Sequence, residues 1–379
     1  MSGERDDLRA MVRDLLTDRA GPQQVRTALD RPEGHDPALW RTVAELGLAG
    51  LLVPEEYGGA GAEFADMAVV LHELGRGVVP LPILSSGVLA ATVLTGTDNR
   101  AVAAELLPGI AVGERAVAVA VGGPDGRPST GTWEVRATPV GRGTRLDGVS
   151  GYVVDAVGSD SLIVGAVGPQ GPVLAAIDSA QARIEHIETV DRTRRLGRVV
   201  LTGVEVGPDR LLAGPGVAGP LIERVQRAGA LAVAASGLGL VERTTEETAA
   251  YAAQRHQFGR AIGSYQAVKH KCADMAIAVE CSRAAVGAAL DAWNGPLREA
   301  AIAVATAKAY AGDAALSVCG DAVQVHGGIG FTWEHDAHLW LKRATSDAAL
   351  FGSSAWHRRR VADLVLLPAE TEAVLTGRN

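Results

Sequence analysis

Apolar positions along the chain change period twice. From residue 1 to about 112 they recur at roughly helical spacing, as in Leu39, Val43, Leu46 and Leu48. Asp36-Pro37 supplies a start for that helix, with Asp36 as cap and Pro37 in the first turn. A second helix is predicted over 64–75 and a third over 100–107, the latter stopping at Pro108-Gly109. Val53-Pro54-Glu55-Glu56-Tyr57-Gly58-Gly59-Ala60-Gly61 reads as a glycine-rich turn. After about residue 113 the period drops to two. Strand-like runs at 116–121, 133–137, 152–154, 161–166, 173–177 and 198–206 are separated by Gly, Pro and Asp. From Gly214 the helical period returns in Ala-rich stretches at 217–254, 265–293 and 297–323. Helices of that length, joined by turns, predict an antiparallel bundle. The expected organisation is α+β and multidomain: an N-terminal helical domain over 1–112, a middle antiparallel β domain over 113–212 and a C-terminal helical bundle over 213–379.

Composition adds how such a core is filled. Of the 379 residues 47% are hydrophobic but only 4% aromatic (Trp 6, Tyr 5, Phe 4), and glycine numbers 46. The core is therefore built from Ala, Val and Leu, with helices packed closely through small side chains. Charged residues at 21% beside that apolar fraction exclude wholesale disorder. The formal net charge is -8, and no basic block exceeds Arg358-Arg359-Arg360, which argues against a nucleic-acid partner. Cys272, Cys281 and Cys319 include no CxxC pair, against a disulfide scaffold or structural zinc. The uncharged run 77–97 is broken by Pro80, Pro82, Ser85, Ser86 and Gly87, so it is not read as a membrane span. The charged start Met1–Asp7 leads into an amphipathic stretch, with no signal peptide visible; a cytoplasmic location is expected.

Three segments carry a resemblance. Leu39-Trp40, Glu45-Leu46-Gly47-Leu48 and the turn 53–61, followed by Glu73-Leu74-Gly75-Arg76, closely resemble the N-terminal signature of the acyl-CoA dehydrogenase family. Gln254-Arg255-His256-Gln257-Phe258-Gly259-Arg260-Ala261-Ile262, then Gln266 and Ala273-Asp274-Met275, is similar to its Arg-x-x-Phe-Gly segment. Gln324-Val325-His326-Gly327-Gly328-Ile329-Gly330-Phe331 and Glu334 resemble its Gln-x-x-Gly-Gly-x-Gly-Phe/Tyr stretch. Together they run through nearly the whole chain in order. The resemblance implies a helical domain, a β domain and a C-terminal four-helix bundle that also makes a tetramer. It implies FAD as cofactor and α,β-desaturation of an acyl-CoA thioester: a carboxylate takes the α proton and flavin N5 the β hydride.

In that family each FAD lies between two subunits. One holds the isoalloxazine through its β domain and carries the base; the neighbour holds the pyrophosphate and adenine through its bundle. Arg255 sits where the family's pyrophosphate arginine sits, and a guanidinium suits two phosphate oxygens. The resemblance has Phe258 pack on the cofactor, Gln266 hydrogen-bond it, and Gln324 with Gly327-Gly328 admit the adenylate close to the backbone. Without the resemblance, Arg255 is a solvated charge after a helix and Gly327-Gly328 a helix stop.

The flavin-facing half departs from the family. Its Thr-Glu-Pro-x-Ala-Gly-Ser-Asp loop is replaced by Gly122-Gly123-Pro124-Asp125-Gly126-Arg127-Pro128-Ser129. In the following strand the family tryptophan position holds Tyr152 and the threonine position Val154, which lacks a hydroxyl. Phe351-Gly352 stands where many members have Glu-Gly, and a phenyl ring cannot accept a proton. The alternative base position, on the first bundle helix, falls on Gly229; Glu223 lies six residues earlier, roughly 9 Å along a helix. Glu242, Glu246 and Glu247 read as a solvated helix face, and His357-Arg358-Arg359-Arg360 as a charged one. His326, His335, His338 and Asp336 do not specify the three or four convergent ligands zinc needs. Cys319 reads as a small core residue.

No catalytic and no metal residue is therefore assigned to this chain. The favoured function is the non-catalytic-side subunit of an FAD-dependent acyl-CoA dehydrogenase. It supplies Arg255, Phe258, Gln266, Gln324, Gly327 and Gly328 in trans to FAD shared with a second dehydrogenase-like subunit, in an α2β2 assembly. The pattern resembles the mixed dehydrogenases of actinobacterial steroid side-chain catabolism. Acyl-CoA would bind in the partner's site, and electron-transferring flavoprotein is implied as acceptor. The alternatives are a catalytically silent acyl-CoA- or protein-binding homologue, and a homomeric dehydrogenase with an unrecognised base such as Glu223.

Overall fold

The structure, a computed structural model, describes residues 2–31 and 34–366; residues 367–379 of the predicted bundle lie outside the described residues. The N-terminal region is helical: α1 (Ser2–Arg19), α2 (Pro22–Leu29), α3 (Pro37–Glu45), α4 (Phe64–Arg76), α5 (Ala91–Gly96) and α6 (Arg100–Ala111). α3 begins as its sequence predicts: the Asp36 carboxylate accepts the Ala38 N–H at 3.0 Å and Pro37 occupies the first turn. α6 departs from expectation, because Pro108 lies inside it and the helix runs on to Ala111. The missing proline N–H leaves only the Ala104 carbonyl without its helical donor, and Ala104 is exposed to water. Burial of Leu106, Leu107 and Ile110 keeps the helix in place. In the uncharged run, Ile83–Ala90 winds as a buried π-helix. Its polar groups find partners: Ser85 donates to Asp155 at 2.7 Å, and Ser86 accepts the Val117 N–H at 3.0 Å. Among the described residues no helix is long and apolar enough to cross a membrane.

The middle region is one eight-stranded sheet: β1 (Val117–Ala120), β2 (Arg136–Val140), β3 (Gly143–Val154), β4 (Ser161–Gly168), β5 (Gly171–Asp178), β6 (Arg183–Ile187), β7 (Leu196–Val206) and β8 (Leu211–Ala213). Its order is β6-β7-β3-β2-β4-β5-β8, with β1 added on β4. The sheet is antiparallel, as expected, in most of its pairings, with two parallel exceptions. β1 pairs in parallel with β4 over Val117↔Ser161 to Ala120↔Val164, and Arg136 meets Val167 in parallel. The β2–β3 hairpin lies between β1 and β4 in sequence, and this crossover lets the two run the same way. Every residue of β1 is buried, so it carries no polar alternation. β3 is much longer than the 152–154 run suggested; Gly and charged residues at 143–148 hid it from a hydrophobic count. Leu146, Leu162, Val164, Ala175, Val199 and Leu201 fill one apolar core.

The C-terminal helices are α7 (Ala218–Gln254), α8 (Gln266–Ala292), α9 (Leu297–His326), α10 (Ala337–Ala349) and α11 (Ser354–Leu366). They pack as a bundle: Arg283 on α8 reaches Glu242 on α7 at 2.8 Å, and Thr244 on α7 lies 3.7 Å from the Cys319 sulfur on α9. The buried face of α9 is mostly alanine, including Ala300, Ala305, Ala311 and Ala315. Close approach also needs glycine. A Cβ on Gly75 would stand 2.0 Å from the Ser236 carbonyl oxygen, and one on Gly239 2.0 Å from that of His72, so α4 and α7 touch backbone to backbone. By contacts the chain forms two compact units. One holds Ala68–Pro80 and Ala230–Leu364 with the N-terminal stretch through Leu29; the other holds Asp30–Met67 and Leu81–Gly229.

The first unit contains an ion-pair cluster that a helical wheel hides. Arg13 grips Glu73 with Nε and Nη2 at 2.9 and 2.8 Å. His72 faces Glu73 through Nδ1 at 3.0 Å and Glu242 through Nε2 at 2.9 Å. Arg76 reaches Glu246 at 2.5 Å. Glu242 is thus not on a solvated face: its side chain is 13% exposed. Burial opposes ionisation of Glu73 and Glu242. Hydrogen bonds from His72 outweigh it, aided by Arg13 and Arg283 respectively, and hold both near about 2. The same contacts raise His72 against its burial.

These shifts set a pH dependence. Carboxylates with depressed pKa contribute stability above their ordinary value of 4.5, and lose it as pH falls toward about 2. The His72 contribution is complete below its ordinary 6.5 and fades as pH rises through its raised value. The urea midpoint is therefore expected to fall steeply between pH 4.5 and 2, and less steeply in Glu73→Gln. Equal slopes in the two proteins would show that Glu73 does not carry this dependence.

Candidate functional site

α7 stops at Gln254, and the Arg255 N–H donates to the Tyr251 carbonyl at 2.8 Å. The chain then turns in a two-residue hairpin, His256–Gln257 against Arg260–Ala261. Phe258 and Gly259 form its tip with φ of 53° and 82°, the positive pair that a type I′ turn requires. Glycine accepts this freely; phenylalanine does so at a cost, and Phe258 is 93% exposed. The hairpin is braced from below. Ile262 N–H donates to the Arg255 carbonyl at 2.7 Å, Tyr265 donates its hydroxyl to Gln257 O at 3.1 Å, and the Arg260 guanidinium lies 3.9 Å over the Tyr265 ring. The Arg255 side chain is exposed, and no carboxylate among the described residues pairs with it.

Gln266 opens α8 and is exposed. Gln324 lies exposed on the last turn of α9, and Gly327 ends that helix with φ 64°. The φ, not crowding, demands glycine at 327, and a Cβ at either Gly327 or Gly328 would meet open space. The structure therefore places Arg255, Phe258, Gln266, Gln324, Gly327 and Gly328 in one unit, all on its surface.

The positions expected to face a flavin look different. The loop 122–129 lies against β3: Gly151 N–H donates to Gly123 O at 3.1 Å, Ser150 Oγ to Gly122 O at 3.0 Å, and Gln226 Nε2 to Pro128 O. A Cβ on Gly151 would stand 2.1 Å from Pro124 O, and one on Gly126 3.2 Å from Tyr152. Tyr152 itself has φ 55°, within a register shift of the β3–β7 pairing between Ser150 and Val153. Val154 is buried.

Phe351 and Gly352 form a tight turn with φ of 56° and 102°. Its carbonyls are held from beneath. Lys308 Nζ donates to Ala348 O at 3.2 Å and Gly352 O at 3.1 Å, and His357 Nε2 donates to Phe351 O at 2.9 Å. His357 is buried, which corrects its placement on a charged helix surface. Burial, with the nearby Lys308 charge, pushes it down to about 3, so the ring is neutral. Burial lowers Lys308 to about 8, against the pull of Asp347 and Asp313. The turn is a backbone clamp presenting a phenyl ring, with no carboxylate at the position of a base. Gly229 is likewise buried, and Glu223 half-buried on α7.

The remaining sequence candidates fall into the fabric of the fold. No group of three or more His, Cys, Asp or Glu among the described residues could hold a metal ion. Cys319 is fully buried, its thiol pushed up to about 12 by burial. A cavity of about 320 Å3 opens beside the ion-pair cluster, lined by Arg13, Glu73, Arg243, Glu247, Asp336 and Trp340 among others. Its charges are paired, Arg13 with Glu73, Arg243 with Glu247 and Asp336 with Arg26, and none of the six cofactor candidates lines it. The clamp by Lys308 and His357 was missed from sequence; a lone Lys in an Ala-rich helix, Ala307-Lys308-Ala309, was its only signal.

Family models described as the acyl-CoA dehydrogenase N-terminal and C-terminal domains match residues 2–114 and 222–366. The chain is 35% identical over 363 residues to acyl-CoA dehydrogenase IpdE2 of Mycolicibacterium smegmatis, covering 95% of this chain and 98% of that one. It is 36% identical to IpdE2 of Mycobacterium tuberculosis, covering 94% and 96%. Among solved structures, the Tcur3481–Tcur3483 steroid ACAD superposes with a TM-score of 0.86 at 30% identity, over 98% of this chain and 99% of that one. The ChsE4–ChsE5 complex of Mycobacterium tuberculosis gives 0.88 at 28%, over 96% and 98%.

Proposed function

The chain belongs to the acyl-CoA dehydrogenase family of FAD-dependent oxidoreductases acting on the CH–CH bond of acyl-CoA thioesters, and we propose that it works as the cofactor-completing subunit of a hetero-oligomeric member. In this reading Arg255 binds the FAD pyrophosphate in trans and Phe258 packs on the cofactor. Gln266 and Gln324 hydrogen-bond it, and Gly327 and Gly328 leave room for the adenylate. A second dehydrogenase-like subunit holds the isoalloxazine, the acyl-CoA and the base, in an α2β2 assembly with one FAD per heterodimer. Electron-transferring flavoprotein is the acceptor. The relatedness to IpdE2 and to the steroid ACAD pair favours a bulky, steroid-type acyl-CoA as substrate. The division into 1–112, 113–212 and 213–379 is part of the same reading.

One observation carries it: an exposed Arg255 with no carboxylate partner among the described residues, on a strained hairpin, stands in the same chain as a base position filled by Phe351. An exposed guanidinium with no carboxylate among the described residues suits a dianionic pyrophosphate. When bound, FAD supplies the hydride acceptor. This chain's residues anchor its phosphate end, and no proton transfer is assigned to them. On the other side, loop 122–129 spends its carbonyls on Ser150, Gly151 and Gln226, leaving them bonded to the chain itself.

The test is co-expression with a dehydrogenase-like subunit that carries an intact base, encoded nearby where such a gene is found, measuring visible flavin absorption after gel filtration. The expected result is no flavin on this chain alone and one FAD per heterodimer in the complex. If the chain alone carries one FAD per subunit and oxidises acyl-CoA, the proposal is wrong. A complex without flavin or activity would favour a silent binding homologue.

A further inference from the structure

The histidines near the Gly-rich turn pack together rather than scatter. His326, the last residue of α9, is 5% exposed and stacks on Tyr251 of α7, with centroids 4.3 Å apart and planes at 27°. His335 also packs on His326, with centroids 4.3 Å apart and planes at 52°, and Trp340 of α10 stands edge-on at 6.0 Å from His335. Both histidine rings are oriented by a hydrogen bond. His326 Nδ1 lies 2.7 Å from the Ala322 carbonyl, which can only accept, so the proton sits on Nδ1. His335 Nδ1 accepts the Ala337 N–H at 3.1 Å, at the start of α10. Burial lowers the basicity of His326.

Two segments that carry cofactor candidates leave from this stack. Tyr251 accepts the Arg255 N–H, and the hairpin begins there. His326 precedes Gly327, and the 3-10 turn Gly327–Phe331 folds back on it: a Cβ on Gly330 would stand 3.1 Å from the His326 Cβ and 3.0 Å from Val323 O. The C-terminal ends of α7 and α9 are thus spliced by one ring contact, while Arg255 and Gln324 face outward.

We propose that the Tyr251–His326–His335 column is the positioning element that sets the spacing between the Arg255 hairpin and the Gln324–Gly330 turn. It touches no cofactor and acts through the backbone of both segments. A site that must meet a rigid ligand with two separate segments needs such a support, since side chains held only by their own loops stray. The use of that spacing for FAD rests on the proposed function; the mechanical coupling does not.

The experiment compares His326→Leu with His326→Phe. Leucine removes the stack at similar volume; phenylalanine keeps a ring but loses the Nδ1–H bond. In the full chain, amide exchange at 257–262 and 328–331 is expected to rise about tenfold in His326→Leu, with the centre of α8 unchanged, and to return most of the way in His326→Phe. In the complex with the second subunit, flavin release is expected to quicken about tenfold in His326→Leu, the scale on which removal of a supporting residue weakens a bound group. Unchanged exchange in both segments, or a uniform rise along the chain, overturns the column. Arg255→Ala separates the two ideas. If it speeds flavin release while His326→Leu does not, the column does not serve the cofactor. If Arg255→Ala has no effect, the trans reading falls, and the exchange data judge the column alone.

Discussion

Replacing Arg255 by alanine in the co-purified complex is expected to weaken FAD retention by about 10–100-fold, the loss of charge-assisted hydrogen bonds from a fork to phosphate. The unfolding midpoint of this chain without flavin should stay where it is, because the Arg255 side chain is exposed and pairs with no carboxylate among the described residues, whereas the flavin-bound complex loses the stabilisation that tight cofactor binding gives. Arg255→Lys should fall between, keeping the charge but not the two-pronged geometry. The affinity for acyl-CoA in the flavin-loaded fraction should not change, since the residue is assigned to the phosphate end of the cofactor. Flavin absorption after extended gel filtration reads the effect directly. Stoichiometric flavin retained by Arg255→Ala would remove Arg255 from the cofactor site.

Glu73→Ala is expected to cost the fold about 3–5 kcal/mol, the usual penalty for removing one partner of a buried charge cluster. The Glu73 side chain is 2% exposed, and it faces Arg13, His72 and Arg76 at once. Arg13 is 45% exposed and can turn to water. His72 and Arg76, each 12% exposed, cannot do so without opening the α4–α7 contact. That contact is tight because Gly75 and Gly239 bring the backbones together, leaving no slack to admit solvent. Urea unfolding should show a midpoint lower by about 1 M or more. The double variant with Arg13→Ala should recover only a small part of the loss, because His72 and Arg76 still lose their Glu73 contacts and keep only Glu242 and Glu246. A change in midpoint too small to measure would mean that the cluster is open to water in solution.

The helices were legible wherever one face alone is buried. α3 could be read to its cap, because the Asp36-Pro37 pair and the Leu39 and Val43 spacing act locally. α6 and β3 were read too short for the same kind of reason. The end of α6 is decided by burial of Ile110 beyond the proline, and the start of β3 by its partners β2 and β7, neither of which is visible in a window of residues. The parallel β1–β4 pair was missed because strand direction is a property of the connection, not of the strand. The candidate site divides likewise. Residue types such as Arg255, Phe351 and Gly327 were readable as chemistry. The Lys308 and His357 clamp, the hairpin tip at Phe258 and the burial of Glu242 were not, because each depends on residues far apart in sequence or on a backbone φ.

The sequence by itself determined the order of helical and β regions, the small-residue core and the absence of a carboxylate at Phe351, since all of these are written in residue type and period. Tertiary structure alone decided which charges are buried and which are offered to the outside. Glu242 and His357 looked like surface residues on their helices and are held inside by α4 and by the Phe351 turn. Arg255 stood out in the sequence by its place before Phe258-Gly259, but only the packing around it shows that its guanidinium is exposed with no carboxylate among the described residues beside it. The physical reason is that residue type sets a group's charge, whereas its solvation and its partner are set by residues brought to it from other elements.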